Sequence, residues 1–487
     1  MEIKNLKLDK NKIIYFLLIA FILVFFTFLI KPTLGNSAIE KYESWRQSDT
    51  YSVAKIYDVK GIDLLRPEFY YDGIGPHIIQ LELELLPMMG VFLKNLFDIN
   101  LLLALRSVSL FFFLMSAVFL YLLARLFVDQ SSSVICLLLY LIMPLNIMLS
   151  RAIMPEALIM FFYLGGVYFI YKWYKFDKRL DSYLSAVFLS LAIIEKIPVM
   201  FFGLVVIYLY LKKYGLKTFK KIDFYLYGII ALLPTIIYML YMQKFANHGF
   251  VSDIASKHIF SKEILNIFSK ETIKFHLEIF RNYFTLPIFT IFCLSLIKIN
   301  KFSSGKKLIL PWIVFMSLEV MIICGIIKFN YYYVFYTPIV ALTGSFILDF
   351  IYDKRQKIFF ISLLLVSLFF MVRRVSYQKL TLNEETNRVI EKIRENSNGR
   401  PIALNTIYPM YINELDRYGA RLDVGVYDYV QKEPREEIEY WLDDGIKEFL
   451  LFKSMDNFEK YSTVINGMDT FKIIFEDDEM IIYDSNN

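Results

Sequence analysis

The stretch LLALRSVSLFFFLMSAVFLYLLA at residues 102–124 decides the fold class of this sequence. It carries one charge, Arg106, in an otherwise apolar or weakly polar run, and about 20 such residues let a helix cross the hydrocarbon core of a bilayer. Inside a bilayer the segment must be helical, because a helix satisfies its own backbone hydrogen bonds. The sequence therefore predicts an integral membrane protein.

The rest of the chain extends this pattern. Hydrophobic residues make up 57% of its 487 residues and charged residues 21%, which lies outside the range of soluble proteins. Further runs of usable length predict eleven spans in all; the other ten are 13–30, 132–150, 156–172, 183–195, 197–211, 223–243, 280–297, 308–327, 331–350 and 357–373. We thus expect an α-helical polytopic membrane domain over residues 1–373.

After residue 373 the apolar runs stop, and shorter alternating patterns predict a small C-terminal α/β soluble domain over residues 374–487. Its predicted helices are 384–396, 409–415 and 434–443, and its predicted strands are 402–404, 422–426, 449–452, 471–475 and 480–483. It contains no cofactor fingerprint, since neither GxGxxG nor GxxxxGK[ST] occurs in the chain. We expect no nucleotide cofactor and no nucleic-acid partner.

The basic residues predict how the helices are oriented. If the N-terminus is cytoplasmic, the Lys and Arg residues of the short loops at 125, 172–179, 212–221, 298–307 and 354–357 all fall inside, as the positive-inside rule requires. An odd number of spans then makes the C-terminal domain extracytoplasmic, and we expect a multi-pass protein of the plasma (inner) membrane. Residues 31–101 and 244–279 become long outer loops, the first with an interfacial or re-entrant helix between His77 and Asp98.

The ionisable groups at membrane depth collect at the predicted outer rim. They lie in WRQSDT (45–50), around Glu82 and Glu84, and in the turns RAIMPE (151–156), EKIP (195–198) and KFNYYY (328–333). A charge at the end of a span is often only a snorkelling anchor. Acids and bases on one rim instead favour a polar cavity, in which a carboxylate can take a proton and cations can hold a phosphate.

In these motifs the sequence resembles the GT-C-type polytopic membrane glycosyltransferases that use polyprenyl-phosphate sugars, near the aminoarabinose transferase and protein O-mannosyltransferase branch. The likeness rests on Asp49 in the first outer loop, an acid before Pro87, and the R-x-x-x-P-[DE], K-x-P and [KH]-x-x-x-Y turns. It implies inverting transfer of a sugar to a lipid, glycan or protein acceptor on the outer face of the membrane. Membrane lipids are expected as further partners. The sugar and the acceptor are left open.

The resemblance also assigns roles to residues. Asp49 is the expected general base and Glu82 the second catalytic acid; the expected substrate-binding residues are Arg46, Glu84, Arg151, Glu156, Lys196, Lys328, Tyr332 and Tyr336. Of these, Lys196, Lys328 and Arg151 would bind the lipid phosphate, and Tyr332 or Tyr336 would donate a hydrogen bond to it. No metal site is predicted, although Asp49, Glu82 and Glu156 could together hold a divalent cation.

Three other interpretations remain at this point. Asp49 and Glu82 could merely pair with Arg46 or Lys55 on a wet loop. The protein could instead be a secondary transporter or lipid flippase of the cell envelope, for which broken helices in two similar halves are expected. It could also be a non-catalytic assembly protein whose C-terminal domain binds a partner.

Overall fold

The fold is that of a computed structural model, which describes residues 39–247, 262–350, 353–379, 384–423 and 433–485, together with Ala20 and Val24. The predicted first span, 13–30, lies outside the described residues except for those two. Most of the predicted second outer loop, 244–279, is described, but its residues 248–261 are not.

The described chain is mostly helical up to residue 379. Its α-helices, numbered in chain order, are α1 (Ser44–Lys60), α2 (Leu85–Phe97), α3 (Leu101–Ala124), α4 (Gln130–Ile142), α5 (Pro144–Leu149), α6 (Glu156–Phe176), α7 (Arg179–Glu195), α8 (Phe202–Tyr214), α9 (Ile222–Phe245), α10 (Lys270–Asn282), α11 (Leu286–Ile297), α12 (Leu310–Ile326), α13 (Thr337–Ser345) and α14 (Lys354–Lys379). Three-residue-per-turn helices at Ile197–Phe201 and Asn330–Tyr336 lead into α8 and α13. A two-stranded ribbon, β1 (Glu68–Phe69) with β2 (His77–Ile78), lies between α1 and α2.

Six helical stretches within the described residues are long and apolar enough to cross a membrane, or seven if the bent pair α10 and α11 forms one span. Two of the predicted spans are interrupted. The span 132–150 breaks at Met143, because Pro144 starts a new short helix, α5. The span 280–297 starts in the last turn of α10 and is interrupted by a 105° bend before α11. The count of eleven therefore remains a prediction.

The turns of the bundle collect at two opposite ends. At one end Lys213 Nζ lies 2.7 Å from Asp177 Oδ1, and Arg179 Nε lies 3.4 Å from Asp223 Oδ2 at the start of α9. At the other end of α9, the Asn247 amide donates to the carbonyl of Ile78, 2.7 Å away, in the loop after α1. We call this second end the sheet side, because the C-terminal sheet lies there. The basic turns at 172–179 and 212–221 thus lie together, and the face of the membrane that they occupy remains a prediction.

The C-terminal region forms a five-stranded mixed sheet with strand order β4-β3-β5-β7-β6. Its elements are α15 (Glu384–Asn396), β3 (Ile402–Leu404), α16 (Met410–Glu414), β4 (Gly419–Arg421), α17 (Pro434–Asp444), β5 (Glu448–Phe452), α18 (Phe458–Asn466), β6 (Phe471–Glu476) and β7 (Met480–Ser485). Most of the predicted strand 422–426 lies outside the described residues, and Leu422 and Asp423 form a turn. The strand that the structure describes, β4, begins three residues earlier and pairs in parallel with β3. Helix α18 was not predicted.

The sheet has two apolar faces that belong to different cores. Trp441 and Tyr461, from α17 and α18, pack with Phe449 on one face. The opposite face, with Leu450 and Ile482, joins the continuous core formed by the membrane helices. Burying this second face in that core gains roughly 25 cal/mol for each Å² of apolar surface removed from water. The sheet is thus docked on the bundle.

Candidate active site

Helix α1 begins with polar residues that are nonetheless buried. Arg46 and Asp49 are each 6% exposed, and Gln47 is fully buried. Arg46 and Thr50 are one turn apart, and the guanidinium donates to the Thr50 hydroxyl at 3.1 Å. Arg46 also forms an ion pair with Glu82. Buried charges require partners of this kind, so α1 is held as a buried polar element.

Gln47 connects α1 to the turn that contains the second motif. Its Oε1 accepts a hydrogen bond from the Ile153 amide at 3.0 Å, and its Nε2 donates to the Tyr42 carbonyl at 2.5 Å. In the same turn Arg151, fully buried, forms an ion pair with Glu40 with 2.6 Å between Nη2 and Oε2. Two motifs about one hundred residues apart in sequence are therefore locked together.

Lys196 lies close to Glu82 of the first loop. Helix α7 ends at Glu195 because Pro198 follows, and Lys196 adopts an extended backbone there. Its ammonium forms an ion pair with the fully buried Glu156, the first residue of α6. It also lies 4.4 Å from the Tyr331 ring centroid and 4.8 Å from that of Tyr332, within the range of cation–π attraction.

The aromatic turn beneath Lys196 is anchored to the segment that precedes α1. Tyr42 donates to Asn330 Oδ1 at 2.5 Å, and Asn330 Nδ2 donates to Glu43 Oε1 at 3.2 Å. The rings of Trp45 and Phe329 lie 5.3 Å apart. The first loop thus positions both the proposed base and the turn that carries Tyr332.

The three acids of the first loop differ in their pKa values. Burial raises the pKa of Asp49 to about 7, against the opposing charges of Arg46 and Arg421. Burial also raises the pKa of Glu84 to about 8, opposed by Arg46 and reinforced by the negative charges of Glu82 and Asp49. Burial also tends to raise the pKa of Glu82, but the positive charges of Arg46 and Lys196 hold that pKa below its usual value. One acid is therefore ionised, one neutral, and one poised near pH 7.

The structure brings together most of the residues singled out in the sequence. Arg46, Asp49, Glu82, Glu84, Glu156, Lys196 and Tyr332 interact through the contacts and charges given above. Three others differ in their surroundings. The charge of Arg151 is balanced by Glu40. Tyr336 shares a 3.0 Å hydrogen bond with Ser317, and Lys328 is exposed three residues before Tyr331.

Glu82 and Lys55 form ion pairs with different partners. Glu82 pairs with Arg46, whereas Lys55 pairs with Asp416 of the C-terminal region, 2.6 Å away. Asp49 forms no ion pair within 4.0 Å among the described residues. No group of three or more His, Cys, Asp or Glu side chains in the described ranges is arranged to hold a metal ion.

Sequence reasoning missed two buried groups. Glu319 lies within α12 and is fully buried, and its two carboxylate oxygens have no hydrogen-bond partner among the described residues. An isolated acid inside an apolar run is itself a signal, which the interpretation of charges at the rim passed over. Asn413 of α16 donates to Asp49 Oδ1 at 3.0 Å. No sequence motif marks this contact, because it depends on how the sheet docks.

Comparison with known proteins gives consistent results. Residues 70–248 match the profile of the dolichyl-phosphate-mannose-protein mannosyltransferase family. No curated protein gives a significant match in sequence. The fold is similar to that of ArnT from Cupriavidus metallidurans bound to undecaprenyl phosphate, with a TM-score of 0.66, 9% identity and 97% coverage of each chain.

Archaeal oligosaccharyltransferases share the fold as well. The Archaeoglobus fulgidus enzyme in its apo form matches with a TM-score of 0.61 and 10% identity, over 94% of this chain and 73% of the enzyme. AglB from the same organism, in complex with an inhibitory peptide and a dolichol-phosphate, matches with a TM-score of 0.60 and 11% identity, again over 73% of that enzyme. At such identities the likeness concerns the fold. The chain thus has the fold of the GT-C-type polytopic membrane glycosyltransferases that its motifs resemble.

Proposed function

We propose that this protein transfers a sugar from a polyprenyl-phosphate-linked donor to an acceptor at the sheet side of the membrane, with inversion and with Asp49 as the general base. The observation that carries the proposal is the state of Asp49. It is a buried carboxylate with a pKa of about 7, with Oδ1 held by Asn413. Within the described part of the chain, Oδ2 receives no hydrogen bond.

The chemistry follows from these groups. Asp49 Oδ2 takes the proton of the acceptor hydroxyl, and the oxygen attacks the anomeric carbon of the sugar from the side opposite the phosphate. The bond between that carbon and the phosphate oxygen breaks, and polyprenyl phosphate leaves with the electron pair. A single displacement of this kind inverts the anomeric centre. A base whose pKa lies near the working pH is the most effective for the first step.

Cations near the leaving group stabilise the charge that develops on it. Lys196 is 8% exposed, and Lys328 lies two residues before the helix Asn330–Tyr336, which contains Tyr331 and Tyr332. Lys196 already has Glu156 as a partner, so a bound phosphate would share this ammonium rather than meet an isolated charge. Glu82, held ionised by Arg46, would accept hydrogen bonds from sugar hydroxyls. Charge-assisted hydrogen bonds of this kind are about twice as strong as neutral ones.

The comparisons support the choice of donor. The ArnT structure holds undecaprenyl phosphate, and the AglB complex holds a dolichol-phosphate and a peptide. Two relatives of the same fold thus bind a lipid phosphate. We extend this chemistry to the present chain, with a lipid, glycan or protein as the acceptor.

We further propose that the protein resides in the plasma (inner) membrane with its sheet side outside. The basic turns at the opposite end, with Lys213 and Arg179, suit the cytoplasmic face. The extracytoplasmic domain is proposed to span residues 374–487, after a membrane domain at 1–373.

A transfer assay tests the proposal. The full-length protein in lipid nanodiscs is incubated with undecaprenyl-phosphate sugars labelled in the sugar and with a lipid, glycan or peptide acceptor, and movement of the label from the donor lipid to the acceptor is followed. Asp49→Asn should abolish transfer and leave folding unchanged. The matched control is Asp58→Asn on the same helix, whose carboxylate pairs with Lys94 at 2.6 Å; it should keep its activity. Full activity in Asp49→Asn would refute the assignment of the base.

The same assay separates an enzyme from a transporter. A secondary transporter or flippase moves its substrate between two compartments and leaves the phosphate–sugar bond intact. Nanodiscs have no second compartment, so turnover there is evidence of bond cleavage. Repeated failure to cleave any donor of this class would favour the transporter.

A further inference from the structure

The C-terminal sheet region reaches directly into the candidate active site through one side chain. Asn413 of α16 is fully buried, and its Nδ2 lies 3.0 Å from Asp49 Oδ1 and 3.3 Å from the Ser48 hydroxyl. These contacts link residues that are 364 and 365 positions apart in sequence. Asn413 is the donor closest to the proposed base among the described residues.

The position of Asn413 is fixed from both sides. Its carbonyl accepts a hydrogen bond from Lys55 Nζ at 2.5 Å, and that ammonium also pairs with Asp416. The Ser44 hydroxyl lies 3.3 Å from the sulfur of Met410 at the start of α16. Helix α16 is therefore held along α1 on both sides of Asp49. Such packing sets the orientation of the Asn413 amide.

A second set of contacts fastens the adjoining strand to the first loop. Arg421 forms two hydrogen bonds with the Asp72 carboxylate, at 3.0 and 2.6 Å. The Gly419 amide donates to the Tyr70 carbonyl at 2.8 Å, and the Gly73 amide donates to the Gly419 carbonyl at 2.9 Å. A side chain at Gly419 would approach the Ile402 carbonyl to 2.4 Å, so the close fit requires glycine. The docked state is thus well defined.

We propose that Asn413 is a positioning residue for the reaction, and that the C-terminal sheet region thereby completes the active site rather than merely covering it. The proposal rests on the proposed function, in which Asp49 is the base. By donating to Oδ1, Asn413 favours the ionised carboxylate and directs Oδ2 toward the acceptor. A hydrogen bond to the charged form of an acid lowers its pKa.

Several charged groups face Asp49 besides this amide. Arg46 on α1 and Arg421 on β4 stabilise the carboxylate, and Asp72 in the first loop opposes it. Glu84 also lies near enough to interact with Asp49, but it is largely protonated below its pKa of about 8. Asn413 differs from all of these because it is the neutral donor in direct contact. Its removal takes away the hydrogen bonds to Asp49 and Ser48 and changes no formal charge.

The test compares two asparagines of the same region in the full-length protein. Asn413→Leu removes the donor with little change in size, and Asn413→Ala carries the same test if the leucine variant does not fold. The matched control is Asn405→Ala. Asn405 is 1% exposed, and among the described residues its side chain bonds only to Phe452 and Asn457, both in the sheet region. It therefore reports general destabilisation of the sheet without contact to Asp49.

Two measurements are made on each variant in nanodiscs. The first is the protonation of Asp49, from infrared difference spectra of protein labelled with isotopic aspartate against the Asp49→Asn variant, which needs no substrate. The second is the dependence of kcat/KM on pH with labelled undecaprenyl-phosphate sugars. We expect Asn413→Leu to shift both midpoints upward by about one pH unit, a tenfold change in the ionisation constant. Asn405→Ala should shift neither.

The outcomes distinguish the two proposals. An unchanged infrared midpoint in Asn413→Leu overturns the role of Asn413, and so does an equal shift in Asn405→Ala. If the infrared midpoint shifts but no donor is cleaved by the wild type, the coupling between the sheet region and Asp49 stands and the transferase assignment fails. If donors are cleaved and Asn413→Leu keeps the wild-type pH profile, the transferase stands and the positioning role fails.

Discussion

The buried ion pair between Lys196 and Glu156 provides a quantitative test of how the sheet side is built. The perturbation is Lys196→Met, which keeps the length of the side chain and removes its charge. Glu156 is fully buried, and one of its oxygens already has no hydrogen-bond partner among the described residues. Without Lys196 its carboxylate loses the cation with which it is paired.

The expected magnitude follows from these surroundings. Breaking one side of a buried ion pair costs about 3–5 kcal/mol, because the remaining charge is buried without compensation. The cation–π contacts with Tyr331 and Tyr332 add roughly 0.5–2 kcal/mol. Replacing both partners removes the stranded charge. The double variant Lys196→Met, Glu156→Leu still lacks the cation–π contacts, so it should lie within about 2 kcal/mol of the native protein.

The assay is equilibrium unfolding of the full chain by SDS in mixed micelles, followed by near-ultraviolet circular dichroism. The double-mutant cycle isolates the interaction between the two residues. A loss below about 1 kcal/mol in Lys196→Met, typical of an exposed pair, would refute the reasoning. So would a double variant as unstable as the single one. The stable double variant should have lost transfer activity, which separates stability from function.

Other predictions concern neighbouring groups. The pKa of Glu84 rises on folding from about 4.5 to about 8, so the protein should lose stability as the pH rises through this window. In unfolding measurements at several pH values, Glu84→Gln should make the free energy of unfolding depend less on pH. An unchanged slope would contradict the raised pKa of Glu84. Arg421→Ala should cost about 3 kcal/mol and speed proteolysis of the sheet region, because Asp72 is left buried and unpaired. Arg435→Ala, which breaks an exposed pair, should change the rate little. Glu319→Leu should stabilise the protein by roughly 1–3 kcal/mol in the same SDS titration, because it removes a buried carboxyl that has no hydrogen-bond partner among the described residues. A loss of stability would indicate a polar partner in the native membrane.

Much of the membrane architecture could be predicted from run length and charge. Helices α3, α6 and α9 coincide with predicted spans because long apolar segments have few alternatives in a bilayer. The breaks were harder to predict. Pro144 was a local signal for the end of α4, and Pro287 at the start of α11 was one for a helix boundary, but neither gave the angle of the 105° bend.

The candidate site was likewise predictable only in part from the sequence. Its motifs could be located from residue types in the turns, and the structure pairs Arg46 with Glu82 and Lys196 with Glu156. The pairings could not be predicted, because they join segments far apart in sequence. The contact of Asn413 with Asp49 is the clearest case, since it requires the docking of a sheet whose strands are short and weakly patterned.

The central claim is that a polyprenyl phosphate binds at the sheet side with its phosphate beside Lys196. The most direct measurement is a cryo-electron microscopy map of the full-length protein in nanodiscs with undecaprenyl phosphate. The account predicts density for the phosphate within hydrogen-bonding distance of Lys196 Nζ and near Lys328, with the lipid tail leaving toward the bilayer. If apolar packing fills that space, or if the phosphate binds away from Lys196, the account is contradicted.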